Sequence, residues 1–161
     1  MSYSQYDPGS PRELCREVQI HLWLCGKALA VNTRGSKILF VDDEQTVADT
    51  LALIFSQKGY NTRAAYSAEQ ALEIIAEWPP DLAILDVVLP EMNGIDLAIL
   101  LTRNLPNCRI LLFSGQALTN DLLADVEKKG YSFAILAKPI HHLLLLDRAL
   151  EALTGDKEKP T

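Results

Sequence analysis

Short, wholly apolar runs alternate with longer segments of helical periodicity along most of this chain. The four apolar runs span residues 38–41, 82–85, 110–113 and 133–137. Runs of this length without polar alternation are typical of strands buried on both faces, as in a parallel sheet covered by helices. Residues 61–66 are more polar, and we expect them to form a strand at the edge of the sheet.

The segments between these runs carry apolar residues at the spacing of amphipathic helices. Val47, Leu51 and Ile54 mark one such face, and residues 67–70 have the sequence Ser-Ala-Glu-Gln, a capping box that begins the next helix. Further helices are predicted over residues 95–103, 119–129 and 140–153. This alternation predicts an α/β fold, a doubly wound sheet of five parallel strands with helices on both faces.

The last predicted helix is apolar over more of its circumference than one core requires. The face expected to pack on the core consists of Leu143, Leu146, Leu150 and Leu153. Leu144 and Leu145 fall outside this face. Because such an excess often marks an interface, we expect these leucines to contact a second copy of the chain or its own N-terminal helix.

Composition excludes several classes of protein. The 161 residues are 48% hydrophobic and 22% charged, as in folded globular chains. The net charge of -6 argues against a surface that binds nucleic acid directly. The three cysteines lack disulfide or zinc spacing, and no apolar run approaches the length of a membrane span. We therefore expect a cytoplasmic protein without membrane insertion.

Three regions are expected along the chain. Residues 1–35 form an N-terminal extension that is partly disordered, with a helix predicted over residues 11–30. Residues 36–155 form the α/β domain, and residues 156–161 form a disordered tail. Because so few residues follow the last helix, we expect the α/β domain to stand alone, without an effector module.

Polar or charged residues directly follow several of the predicted strands. They are Asp42 and Asp43 after the first strand, Asp86 after the third, Ser114 after the fourth and Lys138 after the fifth. In open α/β sheets the carboxyl ends of the strands meet at one edge, where ligands bind. Crowded carboxylates favour a hard cation such as Mg²⁺, and a carboxylate beside Mg²⁺ and a lysine can accept a phosphoryl group.

Four motifs, in this order, resemble those of the receiver domain of two-component response regulators. They are Val-Asp-Asp-Glu at 41–44, Leu-Asp-Val-Val-Leu-Pro-Glu-Met-Asn-Gly at 85–94, Ser-Gly at 114–115 and Lys-Pro at 138–139. The resemblance covers residues 36–153. It implies the flavodoxin-like strand order 2-1-3-4-5 that chemotaxis receivers share.

The resemblance implies a metal site and a phosphoacceptor. Asp86 would accept the phosphoryl group. Asp43 would bind Mg²⁺ directly, and Asp42 would bind it directly or through water, together with Asp86 and the backbone carbonyl of Val88. Mg²⁺ is accordingly the expected cofactor.

The resemblance also implies how the phosphoryl group is held. Ser114 would follow it inward on activation, and Lys138 would pair first with Asp86 and then with the phosphoryl group. Pro139 resembles the proline that follows a cis peptide bond in the family.

Two features depart from the family pattern. The family usually has an aromatic residue three positions before the lysine, where this chain has Ile135, and neither Tyr131 nor Phe133 aligns with that position. The usual aromatic readout of activation is therefore in question. Val88 and Gln116 occupy positions that tune the lifetime of the phosphoryl group, and the sequence leaves that lifetime open.

The resulting hypothesis is a response regulator receiver, a signalling switch that catalyses only its own phosphorylation and dephosphorylation. A sensor histidine kinase would donate the phosphoryl group. The partner of the switched face would be a target protein or a histidine phosphotransfer domain, with a homodimer through the C-terminal helix face as a further expectation.

Two alternatives stay open. A degenerate receiver would act as a scaffold independently of phosphorylation. A Mg²⁺-dependent phosphohydrolase would also use an aspartyl phosphate, but that class typically has a second aspartate two residues after the nucleophile, where this chain has Val88.

Three further residues have plain structural interpretations. His141 and His142 are adjacent, so they point to different sides of a helix, and we interpret them as residues that begin the last helix. Cys108 precedes an apolar run and is expected to lie in the core.

Overall fold

The computed structural model describes residues 33–115, 124 and 126–155. The helix predicted over residues 11–30 and the tail at 156–161 lie outside the described residues. So does much of the helix predicted over residues 119–129, of which residues 124 and 126–128 are described as helical.

Five parallel strands form the sheet. They are β1 (Lys37–Val41), β2 (Asn61–Ala65), β3 (Leu82–Asp86), β4 (Arg109–Ser114) and β5 (Ala134–Ala137). Their order in the sheet is β2-β1-β3-β4-β5, which confirms the predicted fold and strand order. In this order the first three apolar runs occupy the centre of the sheet.

Burial of the strands follows their position in the sheet. Every residue of β3 is buried, as are four of the five in β1. The polar strand β2 lies at one edge, as predicted. The prediction that residues 133–137 are buried on both faces is wrong, because β5 pairs with β4 alone and none of its four residues is fully buried.

The described helices are α1 (Gln45–Gln57), α2 (Ala68–Glu77), α3 (Gly94–Asn104) and α4 (His142–Thr154). Ser67 Oγ accepts a hydrogen bond of 3.1 Å from the Gln70 amide, and the Gln70 side chain accepts one of 2.8 Å from the Tyr66 amide. The predicted capping box therefore begins α2, with its second bond shifted to the preceding residue. His141 caps α4, and the interpretation of the histidine pair as its beginning is confirmed.

The sheet separates two apolar layers, so helices cover both of its faces as predicted. One layer joins α2 and α3 to the sheet through Ala71, Leu97 and Leu101, and it also contains Cys108, as expected. The other layer joins α1 and α4 to the sheet through Phe55, Leu145 and Ala149. Within the described ranges, no helix has the length and apolar character needed to cross a membrane.

The buried face of α4 differs from the predicted one. Leu145, expected outside the core face, is fully buried, whereas Leu143, expected on it, is 53% exposed. The buried centre of the helix is formed by Leu145 and Ala149, four residues apart. The predicted face was defined by leucines alone and omitted Ala149. It is therefore rotated about the helix axis relative to the face that is buried in the structure. Leu144 stays about half exposed, as expected of a residue outside the core.

Candidate functional site

The order of the strands brings the predicted site residues to one edge of the sheet. Asp42 follows β1 and Asp86 ends β3, and these strands are neighbours in which Val41 lies opposite Leu85. Ser114 ends β4, and its carbonyl oxygen accepts a 2.8 Å hydrogen bond from the amide of Lys138, which follows β5.

Three carboxylates lie together at this edge. Oxygen atoms of Asp42, Asp43 and Asp86 are all within 4.8 Å of one another. Asp42 is 1% exposed and Asp86 is 6% exposed, whereas Asp43 is exposed to solvent. The cluster therefore has two inner carboxylates and one that faces water.

Local turns fix the two inner carboxylates. Asp42 Oδ1 accepts a hydrogen bond of 2.9 Å from the amide of Glu44. Asp86 Oδ1 accepts one of 3.1 Å from the amide of Val88. Each aspartate thus uses one oxygen to bind the backbone two residues ahead, an arrangement that short acidic side chains favour.

Lys138 occupies the space between the inner carboxylates. Its Nζ donates hydrogen bonds of 2.8 Å to Asp42 Oδ2 and to Asp86 Oδ2. The peptide bond between Lys138 and Pro139 is cis, as the resemblance implies. Nζ also lies 4.3 Å from the ring centroid of Phe113, a contact that the sequence did not predict.

The environment of Lys138 favours its charged form. Burial acts most strongly and lowers the pKa of the ammonium group, since it disfavours the charge. The hydrogen bonds and negative charges of Asp42 and Asp86 together outweigh burial and raise the pKa above its usual value. The lysine is therefore protonated at neutral pH.

The donor set fits a hard divalent cation. Three carboxylates face one ammonium group in the cluster, so acidic groups outnumber basic ones. All the available acidic ligand atoms are oxygens, which Mg²⁺ and Ca²⁺ prefer. Asp43, being exposed, gives the cluster an open side toward solvent.

Gly94 is a site residue that lies within the second motif but was assigned no role from the sequence. A Cβ at this position would lie 1.8 Å from the backbone oxygen of Asp86, so any side chain would collide with the end of β3. The Gly94 amide also donates a 3.0 Å hydrogen bond to the Val87 carbonyl. The sequence did contain a signal for this role. Gly94 lies in the first turn of a helix, directly after the cap Asn93, and glycine is a poor helix former, so its presence there indicates a position where a side chain does not fit.

Apolar and aromatic side chains surround position 135, where the family usually has an aromatic residue. Ile135 is half-buried and lines a small surface pocket with Ile95, Leu112 and Phe133. Tyr131 and Phe133 stack with their ring centroids 6.1 Å apart. The Tyr131 hydroxyl accepts a 2.7 Å hydrogen bond from Arg103 Nε of α3.

Comparison with known proteins identifies the family. Residues 38–150 match the response regulator receiver domain, which amounts to more than half of the chain. The chain therefore belongs to the response regulator receiver domain family, and the resemblance carried by the four motifs is confirmed.

Curated relatives are longer proteins. The chain is 28% identical over 130 residues to the DNA-binding response regulator MtrA of Mycolicibacterium smegmatis, a match that covers 81% of this chain and 56% of MtrA. It is 29% identical over 118 residues to the Mycobacterium tuberculosis protein named "Probable transcriptional regulatory protein TcrX", covering 73% of this chain and 50% of TcrX. The chain spans about half the length of these relatives.

Solved receiver structures have the same fold. A CheY-like receiver domain protein from Methanospirillum hungatei superposes with a TM-score of 0.66 and 27% identity, covering 73% of this chain and 93% of that chain. The receiver domain of an HD domain-containing protein from Pseudomonas fluorescens gives a TM-score of 0.68 and 29% identity, covering 74% and 95%.

Proposed function

We propose that this receiver accepts a phosphoryl group on Asp86 from a sensor histidine kinase, with Mg²⁺ bound beside it. The observation that carries the proposal is the position of the Asp86 carboxylate. It lies within the acidic cluster and is also hydrogen-bonded to Lys138. A nucleophile, a cation site and a fixed positive charge are the parts that phosphoryl transfer requires.

Asp42, Asp43 and Asp86, with the backbone carbonyl of Val88, are the proposed ligands of Mg²⁺. The carboxylates supply the negative charge that attracts the ion, and the exposed side of Asp43 leaves room for the water ligands that Mg²⁺ usually keeps. When bound, Mg²⁺ neutralises charge on the oxygens of the phosphoryl group during transfer.

The chain's own residues carry out the transfer. A carboxylate oxygen of Asp86 forms a P–O bond while the P–N bond to the donor histidine breaks, and the electron pair of that bond leaves with the imidazole. Lys138 has three N–H donors, two of which contact Asp42 and Asp86, so one remains for a phosphoryl oxygen. Ser114 is proposed to donate a hydrogen bond to another phosphoryl oxygen after transfer.

The added charge is proposed to switch a protein-binding face. Phosphorylation converts the buried Asp86 carboxylate into an aspartyl phosphate and places further negative charge beside the buried Asp42, which biases the equilibrium between an inactive and an active arrangement. The C-terminal helix α4 presents the exposed Leu143 and Leu144 to a target protein, a histidine phosphotransfer domain or a second copy. The chain would then catalyse only its own phosphorylation and dephosphorylation.

The region that matches MtrA is proposed to contribute the switch and not the contact with DNA. MtrA is a DNA-binding protein by name, and this chain matches 56% of it. The net charge of -6 disfavours binding to phosphates by the chain itself. A cytoplasmic location accords with phosphorylation by the kinase domain of a sensor.

Intact mass after incubation with Mg²⁺ and acetyl phosphate tests the proposal. The wild type should gain one phosphoryl group, and Asp86→Asn should gain none. Asp81→Asn is a matched control, because Asp81 precedes the same strand at its opposite end and should leave the gain unchanged. A folded wild type left unmodified both by acetyl phosphate and by the sensor kinases of its organism would favour the scaffold alternative. Sustained turnover of a small phosphate ester would instead favour the phosphohydrolase.

A further inference from the structure

The ring of Phe113 lies close to the ammonium group at the site. Lys138 Nζ is 4.3 Å from the ring centroid, well within the distance at which a cation and an aromatic face attract. Phe113 precedes Ser114 in β4 and lies opposite Asp86 in the register of β3 and β4. The ring therefore belongs to the strand beside the proposed phosphoacceptor.

The ring is fixed by the core. Phe113 is 2% exposed and packs in the apolar layer that contains Phe40, Phe55 and Leu145. A lysine side chain, in contrast, has four rotatable carbon–carbon bonds and loses much conformational freedom when it is held in one place. A rigid ring under a flexible ammonium group limits where that group can go.

An aromatic ring attracts the ammonium charge as a whole and does not accept a conventional hydrogen bond from it. The Lys138 side chain is 24% exposed, so its charge is partly removed from water, and an aromatic face offsets part of that cost by electrostatic attraction. A polar partner at the same place would take the donor that the phosphoryl oxygen needs. An aliphatic residue would leave the donor available but would not attract the charge.

We infer that Phe113 is a positioning residue for phosphoryl transfer, whose ring face holds the Lys138 ammonium group beside Asp86 with one N–H left for the phosphoryl group. This inference rests on the proposed function of Asp86. The competing interpretation is that Phe113 only fills the core and that its contact with Lys138 has no effect on the reaction.

Fluorination of the ring separates these interpretations. Fluorine substituents reduce the negative electrostatic potential at the face of the phenylalanine ring and nearly preserve the size of the ring. They therefore reduce the attraction to a cation without creating a cavity. Mono-, di- and trifluorinated phenylalanine would be incorporated at position 113, and the rate of phosphorylation by acetyl phosphate would be measured with saturating Mg²⁺. We expect a stepwise fall, reaching about three- to tenfold for the trifluorinated ring.

The same fluorinated residues at position 40 are the matched control. Phe40 is as buried as Phe113 and lies in the same layer, where its ring packs edge-on against Phe55 at 5.0 Å. Fluorination there should leave the rate unchanged. Equal rates across the series at position 113, or equal losses at positions 40 and 113, would overturn the inference.

A resonance measurement tests the contact independently of phosphorylation. Protons on the Lys138 carbon next to Nζ should be shifted upfield by the ring current of Phe113, and Phe113→Leu should abolish that shift. Its absence in the wild type would overturn the inference even if Asp86 is phosphorylated. A wild type that shows the shift but accepts no phosphoryl group would contradict the proposed function and, with it, any role of Phe113 in transfer.

Discussion

Lys138 and Asp86, 52 positions apart in the chain, are joined by a hydrogen bond of 2.8 Å at the edge of the sheet. The same ammonium group makes an equally short bond to Asp42. One positive charge therefore bridges two carboxylates that the fold has buried. Removing it would leave both carboxylates close together with no protein cation between them.

Lys138→Met should destabilise the fold. Removing one partner of a buried ion pair is strongly destabilising, but Lys138 is about a quarter exposed, so we expect a loss of about 2 kcal/mol in the free energy of unfolding. Urea denaturation in metal-free buffer measures this loss. Addition of Mg²⁺ should stabilise Lys138→Met more than the wild type, because a second cation then replaces the missing ammonium group.

The stability difference between these two proteins should depend on pH with a definite sign. The folded state raises the pKa of Lys138, so folding favours its protonated form. The stabilisation is fully present below the ordinary lysine pKa of 10.5 and is lost as the pH rises through the folded value. The difference between wild type and Lys138→Met should therefore be constant from neutral pH to about pH 10 and should narrow above it. Narrowing that begins near neutral pH would contradict this assignment.

The parts of the fold predicted correctly depend on patterns that are local in the sequence. Continuous apolar runs identified the three central strands, because a strand covered on both faces needs no polar positions. The acidic residues of the site were found for a related reason, since the carboxyl end of each strand is a known ligand position. Neither inference needs information about distant contacts.

The wrong or missing predictions concern residues whose burial or contacts depend on other elements of the fold, which the sequence does not show. Strand β5 is as apolar as a central strand but has only one neighbour, so it is half exposed. In α4 the small Ala149 lies at the centre of the buried face, where a search for leucines overlooks it. The contact between Phe113 in β4 and Lys138, which follows β5, joins residues far apart in the sequence, and no local spacing indicates it.

Asp43→Asn should weaken Mg²⁺ binding without destabilising the fold. Asp43 is the exposed member of the acidic cluster, so its replacement should change the free energy of unfolding by less than about 0.5 kcal/mol. Loss of a charged oxygen ligand should weaken Mg²⁺ binding by about tenfold or more. Isothermal titration calorimetry measures both the affinity and the number of sites.

Glu44→Gln is the control for the Asp43 variant. It removes the same charge from the next residue, which is also exposed but is not part of the cluster. A long-range charge effect would weaken binding equally in both variants, whereas a ligand role predicts a much larger loss for Asp43→Asn. Equal losses would refute the ligand role.

Gly94→Ala should destabilise the fold and disturb the site together. The added Cβ would meet the Asp86 backbone oxygen at 1.8 Å, so the beginning of α3 must move away from the end of β3. We expect a loss of about 2 kcal/mol, measured by urea denaturation, and slower phosphorylation by acetyl phosphate. Gly115→Ala is the control, because its Cβ would lie no closer than 3.8 Å to Lys138. Equal stability of the two variants would contradict the steric explanation.

Adjacent leucines of α4 should respond differently to truncation. Leu145→Ala removes a fully buried side chain and should cost about 3 kcal/mol, whereas Leu144→Ala should change stability by less than about 0.5 kcal/mol. Thermal denaturation measures the difference. If Leu144 instead lies in a dimer interface, Leu144→Ala should lower the mass observed by light scattering of the phosphorylated protein. Similar losses of stability in both variants would show that the leucines are buried to a similar extent in solution.

The thiol of Cys108 should be unreactive until the fold opens. Burial, and secondarily the negative charge of Asp81, raises the pKa of the Cys108 thiol from 9.0 to about 12, so the reactive thiolate is scarce in the folded state. In a variant with Cys15→Ser and Cys25→Ser, iodoacetamide at about pH 8.5 should modify Cys108 only after urea is added. Rapid alkylation of the native protein would contradict the burial of Cys108.

The raised pKa of the Cys108 thiol should also make stability depend on pH. The unfolded chain binds fewer protons at this thiol between pH 9 and about 12, so the free energy of unfolding should fall across that range. Cys108→Ala should lack this part of the alkaline decline.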